Sequence, residues 1–277
     1  MNRKTPKIVF GGIVLLVASS VPAQLQIVPP EIVQTVFSGK QRQIQLVLRN
    51  PSDAAVEASV KAKLLQLTSS TAAPVAEVPW KKIRVLGNQV IQESASIDFP
   101  DVRAGTRFVL RWTDEQSRQI GTTEMLVYPP DLLKELKTFL GDTPAGVFDP
   151  QNELKPLLKA VAIESEDVER SEIEHYEGKL LIVGPFAARE QLPPRLGVRL
   201  KSMRAKGVAV VWIQPPQRST PPTDPSYFVA ASESGPGIVV AQARAIADLK
   251  NSPAAQLTLL KMVARAMDAK APEIPTE

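Results

Sequence analysis

The sequence predicts an α+β multidomain protein, with an N-terminal antiparallel β-sandwich followed by a C-terminal α/β domain that has a mostly parallel sheet. Three observations predict this fold class. The chain has 277 residues, enough for two domains. The spacing of its apolar residues changes from every second position to helical spacing near Tyr128-Pro129-Pro130. Beyond that point two segments are almost continuously apolar, as buried parallel strands are.

The first 23 residues, MNRKTPKIVFGGIVLLVASSVPA, have the pattern of a secretory signal peptide. Three basic residues precede an apolar run at 8–18, and residues 21–23 suit a signal peptidase. The run is short for a membrane-spanning helix, which needs about 20 residues. We therefore expect cleavage after Ala23, an exported chain in the periplasm or outside the cell, and no stable membrane insertion after cleavage.

Composition excludes several kinds of chemistry. The chain carries 33 Lys+Arg and 29 Asp+Glu, and without residues 1–23 it keeps 30 basic and 29 acidic residues. A balance this close to neutral gives no reason to expect a nucleic-acid partner. The chain has no cysteine, and His175 is its only histidine. Disulfides, cysteine nucleophiles and thiolate metal ligands are therefore excluded.

Residues 28–128 predict strands separated by turns. Residues 41–48 alternate polar and apolar side chains, as a half-buried strand does, and the turn Asn50-Pro51-Ser52-Asp53 follows. Further strands are predicted at 56–64, 81–86, 90–99, 106–112 and 122–128. Short strands broken repeatedly by turns are typical of an antiparallel sandwich, which we place at 24–129.

The segment FPDVRAGTRF at 99–108 adds a family resemblance. An Asn-Pro turn between two strands, followed by an apolar residue, Pro-x-Val-x-x-Gly and another strand, resembles the immunoglobulin-like domains of exported bacterial proteins. The resemblance covers residues 28–128 and implies the architecture of those domains. The cysteine pair of antibody domains is absent, so the resemblance carries only the architecture.

After the boundary, the pattern alternates between helices and apolar strands. Leucines and a phenylalanine recur at helical spacing over 132–140, and Asp131 is a candidate N-cap. Helices are also predicted near 154–161, 194–206 and 253–268, and strands at 146–149, 179–183, 207–213, 226–231 and 237–241. Such alternation predicts a parallel sheet covered on both faces. We place this domain at 130–269, with a tail at 270–277.

The order of these strands and the Leu-rich closing helix resemble a class I glutamine amidotransferase-like domain, which has a flavodoxin-like sheet. The resemblance covers residues 131–268. Active members use a cysteine nucleophile on a sharp turn after a strand, together with a histidine and an acid. This chain has no cysteine, so the resemblance implies a degenerate member, and we carry over none of its catalytic residues. The segment SESGPG at 232–237 lacks the first glycine of a serine nucleophile elbow, and we interpret it as a turn.

The carboxyl ends of parallel strands are the expected place for a ligand. Asp149, Gly184, Phe186 and Gln214 end three of the predicted strands, and together they form a candidate ligand crevice with an acceptor, an amide and an aromatic face. The alternative is that the Asp-Pro and Gly-Pro pairs simply end strands. His175 precedes a strand, so we expect it at the opposite, amino-terminal end of the sheet.

Three functions remain open. The leading hypothesis is a non-catalytic exported protein that acts in cell-envelope assembly or protein recognition, with another envelope protein as its partner. The alternatives are an extracytoplasmic hydrolase of glycans or similar substrates, with paired carboxylates roughly 5 to 10 Å apart, and a small-ligand sensor that uses the α/β crevice. We interpret the acidic stretch at 164–177 as a solvated face, because it has no glycine for a calcium loop before Gly178. Phosphate-binding glycine motifs are absent, and we expect no cofactor.

Overall fold

The computed structural model describes residues 25–30, 33–39, 41–169, 173–215, 227–230 and 236–268. These residues form a mixed α/β fold, in which two largely antiparallel sheets precede a mostly parallel one. The predicted order of an antiparallel and then a mostly parallel part is confirmed. The expected signal peptide, the tail and most of the SESGPG segment lie outside the described residues. Among the described residues, no helix is long and apolar enough to cross a membrane.

The first half is built from strands. Their bounds are β1 (Gln26–Val28), β2 (Gln34–Phe37), β3 (Gln41–Arg49), β4 (Val56–Leu67), β5 (Ala72–Val85), β6 (Val90–Asp98), β7 (Thr106–Thr113) and β8 (Gln119–Tyr128). One sheet has the order β1-β3-β6, and the other has the order β2-β8-β7-β4-β5. All pairings are antiparallel except that of β2 with β8, which is parallel.

Both sheets contribute to one hydrophobic cluster. Alternate residues of β3, Ile44, Leu46 and Leu48, are buried in it together with residues of β4, β7 and β8. Burial of each large apolar side chain stabilises the fold by roughly 1.5–3 kcal/mol. Trp112 lies at the centre of the cluster, and its indole N–H donates to Thr123 Oγ1 at 3.0 Å, so its one polar group is paired.

Strand β5 begins nine residues earlier than the predicted segment at 81–86. Pro74 and Pro79 lie inside it, and a proline cannot donate to a strand ladder. The strand tolerates them because it is at the edge of its sheet and pairs only with β4. The β4–β5 register shifts after Val60 and after Leu64, next to the two prolines. Prolines and register shifts make an edge strand a poor template for pairing with another chain.

The second half alternates strands and helices. The strands are β9 (Ala145–Phe148), β10 (Ser165–Asp167), β11 (Leu180–Val183), β12 (Ala209–Gln214), β13 (Tyr227–Ala230) and β14 (Ile238–Gln242). The helices are α1 (Leu136–Leu140), α2 (Leu154–Ala160), α3 (Leu196–Ala205) and α4 (Pro253–Ala266). The sheet order is β10-β9-β11-β12-β14-β13, and only β13 runs antiparallel to its neighbour.

The first and last of the predicted helical segments in this half begin in different ways. Helix α4 begins at Pro253 as predicted, because the Ser252 hydroxyl accepts from the Ala255 N–H and proline suits the first helical position. Asp131 precedes a 3-10 turn at Leu132–Glu135, not an α-helix, and its carboxylate pairs with Lys134 instead of capping the turn. Asp131 thus occupies the predicted N-cap position, but its side chain makes no capping hydrogen bond.

Helices cover both faces of the parallel sheet. Leu180 and Ile182 of β11 join a cluster that includes residues of α1, α2 and α4, whereas Leu181 and Val183 join a cluster with α3. Phe37 of β2 also belongs to the first cluster, as does Tyr128 at the end of β8. The strand-rich first half thus contributes side chains to the core of the second half.

Candidate functional site

An open cavity lies at the carboxyl ends of the parallel strands. β10 and β11 lie on opposite sides of β9, so the connections diverge there, and the strand order reverses between β9 and β11. Doubly wound sheets bind ligands in the crevice at such a point. A cavity of about 330 Å³ is lined by residues that follow β9, β11 and β14. We call it the switch-point crevice; its lining includes Gln151, Glu153, Phe186, Arg244, Ile246 and Asp248.

Asp149 follows β9 and is only 2% exposed. Its Oδ1 accepts from the Glu153 N–H at 3.1 Å, and its Oδ2 accepts from the N–H groups of Leu154 and Lys155 at 2.7 and 2.9 Å. These amides belong to the start of α2 and have no partner within the helix. The carboxylate of Asp149 therefore caps α2, and it is not among the residues that line the switch-point crevice.

Gly184 follows β11 and allows a close approach between backbones. Its φ is +99°, and a Cβ at this position would lie 2.3 Å from the carbonyl oxygen of Ile213 in β12. Its N–H donates to the Phe148 carbonyl oxygen at 2.8 Å. The peptide bond from Gly184 to Pro185 is cis. The close approach of β11 to β12 therefore explains why position 184 requires glycine.

Phe186 lines the switch-point crevice, yet it is 1% exposed. Its ring centroid lies 5.9 Å from that of Phe148, and both rings belong to the cluster on the α3 face of the sheet. Gln214 ends β12 beside Gln242 of β14 and is half-buried. Of the four residues predicted for the crevice, Phe186 alone is in its lining.

The remaining lining residues were not predicted from the sequence. Arg244 lies in the 3-10 helix Ala243–Ile246 that follows β14, and Glu153 and Asp248 lie on the segments after β9 and β14. Gln191 joins two of these segments, since its Oε1 accepts from Gln151 Nε2 at 3.0 Å and from the Ala187 N–H at 2.9 Å. The rule that ligands bind beyond strand ends also applies to β14 and is the signal that points to Arg244.

A half-buried lysine of α2 pairs with two acidic side chains. Lys155 Nζ is 2.6 Å from Glu169 Oε1 and 3.1 Å from Asp167 Oδ1. Desolvation lowers the pKa of Lys155, but the hydrogen bonds and charges of Glu169 and Asp167 outweigh it, and the pKa is raised above its usual value. A nucleophilic lysine needs a lowered pKa. Lys155 is therefore a protonated structural group, and Glu169 also accepts from the Asp149 N–H at 2.7 Å.

His175 is exposed in the turn Ile173–His175, which precedes β11. Next to it, Tyr176 is buried, and its hydroxyl lies 2.8 Å from the carbonyl oxygens of Pro144 and Leu180. Pro144 immediately precedes β9, and Leu180 begins β11. His175 therefore lies at the amino-terminal end of the sheet, away from the switch-point crevice.

The acidic stretch forms ion pairs instead of converging on one point. The two carboxylate oxygens of Glu174 accept from Arg199 Nε and Nη2 at 2.6 and 2.7 Å. The side-chain hydrogen bond from Arg199 lowers the pKa of Glu174, against an opposing effect of desolvation. Across the described parts of the chain, no group of three or more His, Cys, Asp or Glu residues is placed to hold a metal ion.

No family model and no curated protein matches the chain. Among solved structures, an alkylpurine DNA glycosylase from Pseudomonas fluorescens is 12% identical over 38% of this chain and 30% of its own, with a TM-score of 0.30. A β-glucosidase from Listeria innocua is 13% identical over 39% of this chain and 16% of its own, with a TM-score of 0.29. A Niemann-Pick type C2 protein from the Japanese carpenter ant is 10% identical over 34% of this chain and 78% of its own, with a TM-score of 0.28.

The chain spans less than a third of the length of the glycosylase and the glucosidase. TM-scores near 0.3 at this identity carry no argument about the fold or the activity of the chain.

Proposed function

We propose that this chain is an exported, non-catalytic recognition protein that acts in cell-envelope assembly and binds another envelope protein at the switch-point crevice. The observation that carries the proposal is which polar groups at the strand ends are already hydrogen-bonded within the fold and which are exposed at the crevice. The carboxylate of Asp149 is taken up by three backbone amides, whereas Arg244 is exposed and lines the crevice beside Phe186 and Ile246. A charged rim around an apolar base is a common composition for a protein-binding surface.

Two architectural proposals accompany this function. The two sheets of the first half pack as an immunoglobulin-like sandwich, which is supported by the single hydrophobic cluster to which both contribute. The second half is a degenerate amidotransferase-like domain. The strand order of its parallel sheet supports this proposal, because the order β10-β9-β11-β12-β14 has the 2-1-3-4-5 pattern of flavodoxin-like sheets.

A carboxylate-dependent hydrolase is the second candidate, because Glu153 and Asp248 line the same crevice from different segments. Both side chains are exposed. A general acid of the glycosidase type has a raised pKa, which burial in an apolar pocket provides. Exposure therefore favours recognition over hydrolysis. A small-ligand sensor is the third candidate, since about 330 Å³ lies within the range of small-molecule sites, roughly 300 to 1,000 Å³.

The test compares partner capture by three forms of the chain in the producing cell. After chemical cross-linking in the envelope, the wild-type chain and Gln116→Lys should recover the same partner in similar amounts. Gln116 lies in an exposed turn outside the crevice, so its variant is the control. Arg244→Glu should recover at least about tenfold less, because it reverses the charge at the rim. Equal recovery with Arg244→Glu would show that the crevice is not the binding site.

The same samples address export and catalysis. We expect the exported chain to begin at Gln24, with no ammonia released from glutamine, since no cysteine is present to attack the amide. Hydrolysis of a glycan that is lost in the double variant Glu153→Gln, Asp248→Asn would establish the hydrolase instead. A chain that retains residues 1–23 would be an anchored one, contrary to the proposal.

A further inference from the structure

The sheet β1-β3-β6 has one face in the hydrophobic core and the other face in solvent. Twelve side chains alternate onto the outer face, which we call the amide face: Gln26, Val28, Gln41, Gln43, Gln45, Val47, Arg49, Val90, Gln92, Ser94, Ser96 and Asp98. Ten of these are uncharged, whereas the solvent face of β4 and β7 in the other sheet carries Glu57, Lys61, Lys63, Arg107 and Arg111. Depletion of charge is a mark of the centre of a protein interface.

Apolar side chains interrupt the amide face at one end. Val28, Val47 and Val90 are 41%, 36% and 56% exposed, and Val28 is directly opposite Val47 across the β1–β3 pair. Towards the other end, Gln43 Nε2 donates to Ser96 Oγ at 2.6 Å. A side-chain amide has two donors and an acceptor, so Gln43 keeps groups for a partner.

The two charged residues of the amide face lie at its opposite ends. The β3–β6 register pairs Gln41 with Asp98 at one end and Arg49 with Val90 at the other. Eight residue steps along an antiparallel strand separate the ends by about 27 Å. That distance exceeds the Debye length of about 8 Å at physiological salt, so the two charges do not interact within one chain. In the described part of the molecule, neither residue takes part in an ion pair.

We infer that the amide face is a self-association surface on which a second copy of this chain docks face to face with its strands reversed. Reversal brings Arg49 of each copy to the Gln41–Asp98 end of the other, so a symmetric pair contains the complementary contact twice. The row of Gln45 and Ser94 is midway between the ends, on the two-fold axis. This surface is in the first half of the chain and is independent of the switch-point crevice proposed above.

The size of the face sets the expected strength of the pair. β3 and β6 are about 27 Å long and about 4.8 Å apart, and the three-residue β1 adds about 10 Å of strand, so the face presents about 300 Å² per copy. Stable complexes bury about 800 Å² per partner, and smaller interfaces are weak or transient. The pair is therefore a weak dimer in solution, and its test requires either high concentration or a covalent trap.

The chain itself supplies the means for a trap, because it has no cysteine. Gln45→Cys places the only thiol of each copy on the two-fold axis. Sheets packed face to face lie about 10 Å apart, which is too far for a disulfide but within the span of a short bismaleimide cross-linker. Treatment with the bismaleimide should give at least about tenfold more cross-linked dimer than the same treatment of Gln116→Cys, whose thiol lies in an exposed turn away from the amide face. Equal yields from the two variants would overturn the inference.

A charge exchange tests the reversed orientation. By sedimentation at about 0.5 mM, the wild-type chain should be partly dimeric, and Arg49→Glu or Asp98→Arg alone should raise the dissociation constant at least about tenfold, because like charges then face each other. The double variant Arg49→Glu, Asp98→Arg should restore the wild-type value. Since the two positions are about 27 Å apart in one copy, restoration requires contact between copies.

A monomeric wild-type chain at that concentration would overturn the inference, as would a double variant that fails to recover. If the amide face instead captured a different envelope protein, the wild-type chain would stay monomeric, and that result also overturns it. Unfolding midpoints equal to that of the wild type are the check that each variant is folded. None of these measurements depends on Arg244, so they fail or succeed separately from the test of the switch-point crevice.

Discussion

Two buried aspartates accept hydrogen bonds from the backbone that follows them in the chain. Asp149 caps α2, and Asp114 accepts from the N–H groups of Gln116 and Arg118 at 2.9 and 2.8 Å. The sequence placed Asp149 at a strand end, and the structure does so too. The sequence did not predict that this carboxylate caps the helix that begins just after it. The capping depends on the conformation of the loop, including Asn152 at a φ of +53°. No local pattern fixes such a loop.

The first prediction is a pH dependence that arises at Asp114. Desolvation raises the pKa of this carboxyl, but hydrogen bonds from the Arg118 side chain and the backbone N–H groups of Arg118 and Gln116 outweigh it, so the pKa lies below its usual value. The folded state therefore favours the ionised form. Its contribution to stability is complete above a pH of about 4 and is lost as the pH falls through the folded pKa.

We expect Asp114→Asn to lower the free energy of unfolding at pH 7 by about 1–3 kcal/mol, since a charge-assisted hydrogen-bond set is lost. The loss should shrink towards pH 3, which is below the unfolded-state pKa of about 3.9, because the unfolded carboxyl is then protonated and the contribution of the ionised form to stability falls. Denaturant unfolding at both pH values measures it. Asp142→Asn, at an exposed carboxyl, is the matched control. An equal loss at both pH values would show that the effect is not ionisation.

At the level of elements, strong periodicity and caps were sufficient for prediction, and short polar segments were not. β3, β11 and α4 have clear alternation, a continuous apolar run and a Ser-Pro start, respectively, and each was predicted. β10 was missed because its residues, Ser-Glu-Asp, are all exposed at the sheet edge. The side chains of β10 are solvated, as the sequence predicted for this stretch. Its backbone nevertheless pairs with β9, which the sequence did not predict.

The second prediction concerns the contact between β11 and β12. Gly184→Ala should lower the free energy of unfolding by about 3 kcal/mol or more, because the new Cβ meets the Ile213 carbonyl oxygen and φ is positive. Gly207→Ala is the matched control. Its φ is +86°, but no heavy atom lies within 4 Å of its Cβ position, so only about 1 kcal/mol should be lost. Similar losses in both variants would mean that the close approach is not what requires glycine at 184.

At the scale of the whole molecule, the order of an antiparallel and a parallel part could be predicted from the change in periodicity. The contribution of Phe37 and Tyr128 to the core of the second half could not, because it depends on the position of β2 in space. β2 has only four residues, and its pairing partner β8 is far along the chain. A segment that short has too little pattern to show which core it joins.

The third prediction concerns folding of the separated halves. Residues 24–129 and 130–277, expressed alone, should each melt cooperatively, since each contains its own hydrophobic cluster. The second piece should melt at a lower temperature than in the intact chain, because Phe37 and Tyr128 no longer cover its core. Phe37→Ala in the intact chain should cost about 3–5 kcal/mol. Calorimetry measures both effects, and a piece without a cooperative transition would show that the halves are not independent.

The parallel pairing of β2 with β8 also has a kinetic consequence. Its register joins Gln34 to Met125, so it closes a loop of about ninety residues, whereas most strands of the first half pair with closer neighbours. Closing a long loop is slow, and such contacts tend to form late in folding. We therefore expect β2 to dock after the rate-limiting step. Substitutions at Phe37 should then accelerate unfolding and leave the refolding rate nearly unchanged. The rate at which the two halves separate on unfolding would thus depend on the four-residue strand β2. The same strand would have little influence on how fast either half folds.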